Sequence, residues 1–369
     1  MKRYLKRLHL WLSVPLGVFV TVICWSGAVL IFETELLQLC YPSRYFVEEV
    51  KDERLTPEQL VLSARKQLPD TIKINGIRFF QDSQRTCQLI LPGKKVVAFI
   101  DPYTGKITGY DDGNGFFMKT MRLHRWLLDE FRHDGNIPWG KMIVGYTTLL
   151  FVIILISGMI IWYPRNRNIL KLRLKVKINA GWKRFWYDLH LAGGFYTALL
   201  LLLMALTGLT WSFTWYRNSF YSLFGAEVEN HSGKHAVVAD GKKKIPDYTL
   251  WDRALAVVQS RYSSYEWITI QNGVVSVSTS SWGNTRAADK YHFDISTGKL
   301  TSVQLYEDLP QTGKIRGWIY SVHVGSWGGL IGKILWFCAS VVGGILPLTG
   351  YYLWICRTFA SGFKDKKVK

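Results

Sequence analysis

Four apolar blocks govern what this chain can fold into. They run over roughly 9–32, 141–163, 189–213 and 331–355, and each exceeds eighteen residues. About twenty apolar residues in a helix cross the ~30 Å hydrocarbon core of a bilayer, whereas helices of soluble proteins keep a polar face. The blocks therefore predict four transmembrane helices. The first is longer than the roughly 7–15-residue apolar region of a cleaved leader, and it is followed by IFETELLQLCYPS, which has no A-x-A site. It is expected to stay as the first helix.

Charge sets the expected orientation. Lys2, Arg3, Lys6 and Arg7 precede the first block, and eight basic residues with no acid lie between Pro164 and Trp186. The tail from Arg357 adds five basic residues against Asp365. These clusters carry sixteen of the nineteen net positive charges. By contrast, 33–139 holds fifteen basic and fifteen acidic residues, and 213–330 holds twelve and ten. The positive-inside rule places both termini and the 164–186 loop in the cytoplasm and the two long segments outside. Anchoring to anionic lipid headgroups accounts for the clusters, and the pattern argues against nucleic acid as a partner.

The expected order is helix 1–32 with its basic start, outer segment 33–139, helix 140–163 and cytoplasmic loop 164–186. Helix 187–213, outer segment 214–330, helix 331–356 and basic tail 357–369 follow.

The same order is written twice. LHLWLSVPLGVFVTVICWSGAVLIF (8–32) aligns with LHLAGGFYTALLLLLMALTGLTWSF (189–213) at an offset of 181, matching His9 to His190 and Gly27 to Gly208. Residues 140–164 align with 332–356 at an offset of 192, matching Gly140 to Gly332 and Gly158 to Gly350. Ahead of these lie LHRWLL with His124 and VHVGSW with His323. In the outer segments, DPYTGKITGY (101–110) matches DISTGKLTSV (294–303) at an offset of 193. Asp-x-x-Thr-Gly between alternating runs predicts a hairpin, the glycine supplying positive φ. TPEQLVLSARKQLP (56–69) predicts a helix capped by Thr56 with Glu58 in its first turn, and TLWDRALAVVQSRY (249–262) its counterpart. Each outer segment is thus expected to be an α+β domain, one helix on a small antiparallel sheet. The fold class is a four-helix membrane bundle with two such domains and an internal two-fold repeat.

His9 and His190 both open helices from the cytoplasmic side, and His124 and His323 both precede helices entered from outside. The expectation is one imidazole pair near each face. A histidine at a helix mouth can simply meet headgroups, but paired imidazoles at membrane depth also suit a cofactor, notably iron porphyrin held by one ligand from each of two helices. Small residues such as Gly17, Ala192, Gly193, Gly194, Gly328, Gly329, Gly343 and Gly344 offer flat space. Arg7 and Arg184 inside, and Arg122 and Arg125 outside, offer cations for propionates. His124 lies sixteen residues before Gly140 while His323 lies nine before Gly332, so a seven-residue insertion in DEFRHDGNIPW must loop back, and His133 within it competes as a ligand.

Trp25, Trp211 and Trp336 lie between the two levels, and Trp139, Trp318, Tyr320 and Trp327 near the outer boundary; all also suit packing or an interfacial belt. His231 and His235 suit a metal only in a helix, which the intervening SGK opposes. There is no C-x-x-C-H, which argues against covalent c-type haem, and the outer compartment permits a Cys40–Cys87 disulfide.

The order of histidine-bearing helix, DxxTGK-type hairpin, LHRWL and SG-ending helix, given twice, resembles the PepSY-associated transmembrane family over nearly the whole chain. The resemblance implies a bacterial inner-membrane protein with two haems b, ligated by His9 with His190 and His124 with His323. It implies two PepSY-like periplasmic domains and reduction of a ferric siderophore or other ferric chelate. No GxGxxG, Walker A or flavin motif occurs, so the cytoplasmic electron donor must be another protein, a quinol or a free reduced flavin. A haem-free sensor or scaffold, and a small transporter built on repeats, are the rival readings.

Overall fold

The computed structural model describes residues 2–93, 96–129, 138–164, 166–226, 248–271, 273–279 and 282–362. His133, His231, His235 and the basic tail beyond residue 362 lie outside the described residues. The helices are α1 (Lys2–Ile31), α2 (Glu33–Cys40), α3 (Pro42–Tyr45), α4 (Pro57–Arg65), α5 (Phe116–Trp126), α6 (Trp139–Trp162), α7 (Arg167–Arg173), α8 (Trp182–Ser212), α9 (Thr214–Leu223), α10 (Thr249–Gln259), α11 (Gln311–His323) and α12 (Gly329–Gly362). The strands are β1 (Gly76–Phe80), β2 (Cys87–Ile90), β3 (Val97–Ile100), β4 (Ile107–Asp111), β5 (Trp267–Gln271), β6 (Val274–Ser278), β7 (Asp289–Phe293) and β8 (Leu300–Gln304). They fall into two compact units.

The first unit comprises Met1–Phe32, Phe116–Phe220 and Val322–Lys369. Four stretches in it, Lys2–Ile31, Trp139–Trp162, Trp182–Ser212 and Ser326–Thr358, are long and apolar enough to cross a membrane. The chain is a multi-pass membrane protein. The helices pack as a closed ring in which α1 meets α6 and α12, and α8 meets the same two. Close approach rests on glycine at defined places. A Cβ on Gly344 would strike the Trp25 ring, and one on Gly343 would strike Leu201. Polar ties add to this apolar packing. Thr21 donates to the Gly344 carbonyl at 2.9 Å, and Tyr351 donates to that of Val14 at 2.7 Å. The α5 helix ends against α6, where a Cβ on Gly140 would meet the Trp126 carbonyl; at Gly332 it would meet the Gly325 carbonyl.

The second unit comprises Glu33–Gly115 and Tyr221–Ser321. The two outer segments share one eight-stranded antiparallel sheet in the order β4-β3-β2-β1-β5-β6-β7-β8. The join is β1 to β5, paired from Gly76↔Gln271 to Phe80↔Trp267. Each four-stranded half would otherwise leave an unpaired edge, and pairing the two edges satisfies both. One face carries the apolar core, as a period-two pattern allows. There Ile77, Leu89, Ile100, Ile268, Ile270 and Val277 meet Leu60 and Val61 of α4 and Leu255 and Val258 of α10 in a single core.

Local signals in the sequence produce these elements. Thr56 accepts from the Gln59 amide while the Gln59 side chain returns to the Thr56 amide, a capping box whose acid-side partner is Gln59 and not Glu58. Glu58 has a different role: its amide donates to Asp252 at the start of α10, at 2.9 Å. Both Asp-x-x-Thr-Gly hairpins form, with Gly105 and Gly298 each at φ +67. Asp294 accepts from the Ser296 hydroxyl and the Thr297 amide, which holds its carboxyl at about 2. The disulfide does not form. Cys40 and Cys87 are both free, Cys87 faces the buried core, and burial pushes its thiol up to about 12.

Leu60 is fully buried under this sheet. Leu60→Ala is expected to destabilise the second unit by about 2–5 kcal/mol through the cavity it leaves, measurable as a fall in its denaturant midpoint.

Candidate functional site

Each of the four matched histidines sits in the same kind of seat within the first unit. The His9 Nδ1 lies 3.1 Å from the Ile154 carbonyl and 3.1 Å from the Ser157 hydroxyl, both on α6. The His190 Nδ1 lies 3.2 Å from the Leu346 carbonyl and 2.8 Å from the Thr349 hydroxyl on α12. His124, on α5, reaches Ile23 at 2.9 Å and Ser26 at 3.3 Å on α1. His323, at the end of α11, reaches Met204 at 3.0 Å and Thr207 at 3.1 Å on α8. In every case the seat is a carbonyl and a hydroxyl three residues on. A glycine comes next: Gly158, Gly350, Gly27 and Gly208 lie with their ideal Cβ positions 3.2, 3.7, 2.9 and 3.2 Å from the imidazole Cε1. A larger side chain there would push the ring out.

The carbonyl decides the tautomer. It can only accept, so Nδ1 carries the proton and donates, and Nε2 keeps its lone pair. The hydroxyls reinforce this, because each donates back to its own helix, as Ser157 does to Ile154 at 2.9 Å and Thr349 to Leu346 at 2.7 Å.

The rings pair as expected from the sequence. His9 and His190 have centroids 6.5 Å apart, and His124 and His323 have centroids 6.2 Å apart. A direct N–H···N bond between two imidazoles would bring centroids to about 5.2 Å. Two imidazoles binding one metal in line, each nitrogen about 2 Å from it, would put them about 6.3 Å apart. The observed spacing fits the second. Among the described residues no group of three or more His, Cys, Asp or Glu forms a metal site. Two imidazoles alone suit a metal that arrives with its own equatorial ligands, as iron in a porphyrin does.

Space and charge at the inner pair fit such a group. A cavity of about 430 Å³ is lined by His9, His190, Gly17, Gly158, Gly194 and Gly350 among others, within the usual cofactor-site range of about 300–1,000 Å³. Ser13 and Trp162 also line it, and the Ser13 hydroxyl and Trp162 indole nitrogen are buried without a partner. Its cations are Lys6 and Arg357, two residues the sequence reading missed. Arg7 does not line it. Arg184 pairs with the buried carboxylate of Asp188 at 2.9 Å, and Asp188 also accepts from the Lys177 amide at 3.2 Å. On α5, beside His124, Arg122 is half-buried, and Arg125 lies over its neighbour Trp126 at 5.0 Å.

Of the small residues proposed to give flat space, Gly17 and Gly194 face the cavity, whereas Gly343 and Gly344 pack helix on helix and Gly193 meets Val342. Trp211 stacks edge-on against His323 at 5.0 Å, Trp25 donates to the Val341 carbonyl at 3.2 Å, and Trp336 is buried beside Trp327 at 5.8 Å. Tyr320 carries the Arg286 guanidinium at 3.6 Å, and Trp139 and Trp318 are exposed.

Residues 6–357 match the family described as the PepSY-associated TM region. The chain belongs to that family. No curated protein matches this PepSY-associated protein. The Ser/Thr-Gly dipeptides were the available signal for the seats: 26–27, 157–158, 207–208 and 349–350 each hold one near the end of a span.

Proposed function

We propose that this PepSY-associated protein is an inner-membrane reductase with both termini in the cytoplasm. It takes electrons from a cytoplasmic donor and delivers them to a ferric siderophore or other ferric chelate in the periplasm, releasing iron for uptake. The reading treats the two halves as repeats that each contribute one ligand to each site. Two haems b, held by His9 with His190 and by His124 with His323, would supply the one-electron redox chemistry.

The observation that carries this reading is the pair of imidazole couples at metal-bridging separation, each ring locked as the Nδ1–H tautomer. The chain's own residues prepare the sites. Ile154, Leu346, Ile23 and Met204 hold the proton on Nδ1, and the hydroxyls of Ser157, Thr349, Ser26 and Thr207 fix the ring plane. Lys6 and Arg357 supply positive charge to the inner cavity, whose lining is otherwise largely apolar. Along α1, His9 and the Ile23 seat of His124 are fourteen residues apart, as are His190 and the Met204 seat of His323 along α8. Fourteen residues rise about 21 Å, so the couples lie at two depths. Delivery to iron would free it because hard oxygen donors hold Fe(III) far better than Fe(II).

The test is reoxidation in sealed vesicles. Dithionite-reduced protein, freed of excess reductant, should show its b-type α band fall when ferric citrate is added on the periplasmic side. A band that persists, in a preparation with full haem content, would exclude ferric citrate as acceptor. A colourless preparation would remove the haem reading altogether.

A further inference from the structure

The sheet of the second unit has a second face, opposite the apolar core, with a row of polar residues across six strands that ends at the buried Phe99 of β3. Cross-strand register puts Gln88, Arg78, Thr269, Ser276, Lys290 and Gln304 side by side across β2-β1-β5-β6-β7-β8. The neighbouring row holds Phe80, Trp267 and Ser278. These rows cross the β1–β5 seam.

Two guanidinium groups lie on this seam with donors left over. Arg78 donates its Nε to the Thr269 hydroxyl at 2.8 Å, and its guanidinium carbon lies 4.7 Å from the Trp267 ring centre. Arg85 lies 4.3 Å over Phe80 and 5.6 Å from Phe46. Phe80 and Trp267 are cross-strand partners, so the two cations are stacked on one aromatic pair. The Arg85 Nε is buried and has no hydrogen-bond partner, and neither has the Ser278 hydroxyl at 0 % exposure, directly beside Trp267. Burial lowers the pKa of both arginines, with Glu266 near both and Asp82 near Arg85 acting in the opposite sense. Arg54, the third arginine nearby, is engaged by the carbonyls of Phe80, Gln81 and Asp82.

Buried polar atoms in folded proteins nearly always have partners, and unmet ones point to a bound ion or water. Half-buried guanidinium forks with idle donors and aromatic backing are the chemistry that takes oxyanions in bidentate fashion. From this we infer that the Arg78–Arg85 site on the second face of the sheet binds an anionic oxygen-donor chelate. The identity of that ligand as the ferric chelate rests on the reductase reading above. The site supplies Arg78 and Arg85 for ligand oxygens, and Trp267 and Phe80 as an apolar floor.

The probe is gallium(III) citrate, an anionic oxygen-donor chelate whose metal does not undergo reduction here, titrated into the full chain in detergent micelles by calorimetry. The wild type should bind it. Arg78→Gln and Arg85→Gln should each weaken binding by about tenfold or more, the usual effect of losing a hydrogen bond between charged groups. The Lys variants keep charge without the fork and should fall between, and Lys106→Gln, on the hairpin turn, should bind as wild type. Thermal unfolding of each variant separates lost binding from lost fold, and where a Gln variant unfolds the Lys variant decides. No binding by the wild type, undiminished binding in the Arg variants, or free citrate binding as tightly as the gallium chelate would overturn the inference. The two readings fail separately. Bound gallium chelate without reoxidation by ferric citrate leaves the Arg78–Arg85 site and excludes ferric citrate as the acceptor. Reoxidation indifferent to Arg78 and Arg85 leaves the reductase and removes the site.

Discussion

Purified His190→Ala should carry roughly half the haem of the wild type, about one per chain instead of two, with the remaining b-type spectrum intact. The reason is local. Among the described residues His190 and His9 are the two imidazoles that line the cavity, 6.5 Å apart centroid to centroid. An alanine leaves a one-ligand site, while the outer couple, about 21 Å away along α8, keeps its own seat at Met204 and Thr207. His9→Ala should give the same result from the other side of the bundle. A pyridine haemochrome assay against protein concentration reads both. Unchanged haem in both variants would show that this couple is not the ligand set, and loss of both haems in a protein that still folds would show that the sites are not independent.

Gly27→Leu should remove the outer site alone. An ideal Cβ at Gly27 already lies 2.9 Å from the His124 Cε1, closer than real Cβ contacts come, so the ring must shift to admit leucine. The imidazole must leave its seat at Ile23 and Ser26, and with it the orientation of Nε2. Leucine is a better helix former than glycine, so α1 itself gains and the damage is steric. Haem content should fall by about half and reoxidation by ferric citrate by about 10–100-fold or more, the range for displaced ligand supports. Gly208→Leu, whose Cβ position is 3.2 Å from the His323 Cε1, should behave alike. Retention of both haems in Gly27→Leu would mean that the His124 seat is not needed.

Much of the candidate site is legible in the sequence. The matched spacings pointed to His9 with His190 and His124 with His323, and the rings do meet in those couples. The seven-residue insertion before Gly140 did not prevent it, because α5 ends against α6 at Gly140 as the chain around Gly325 does against Gly332. The supporting cast was not legible. Ser157 and Thr349 look in sequence like ordinary small polar residues of apolar spans, and only the facing imidazole gives them a task.

The sequence by itself determined the four spans, the Thr56 cap, the glycine turns of both hairpins and the partnership of the four histidines. These are periodic or local properties, carried by residues close together in the chain or by the same order written twice. Tertiary structure alone decided that the two outer segments share one sheet through β1 and β5, and that Lys6 and Arg357, not Arg7 and Arg184, line the inner cavity. The physical reason is rotation. Neighbouring helix residues point about 100° apart, so Lys6 and Arg7, adjacent in sequence, face different surroundings, and only the packed bundle says which of them meets the site.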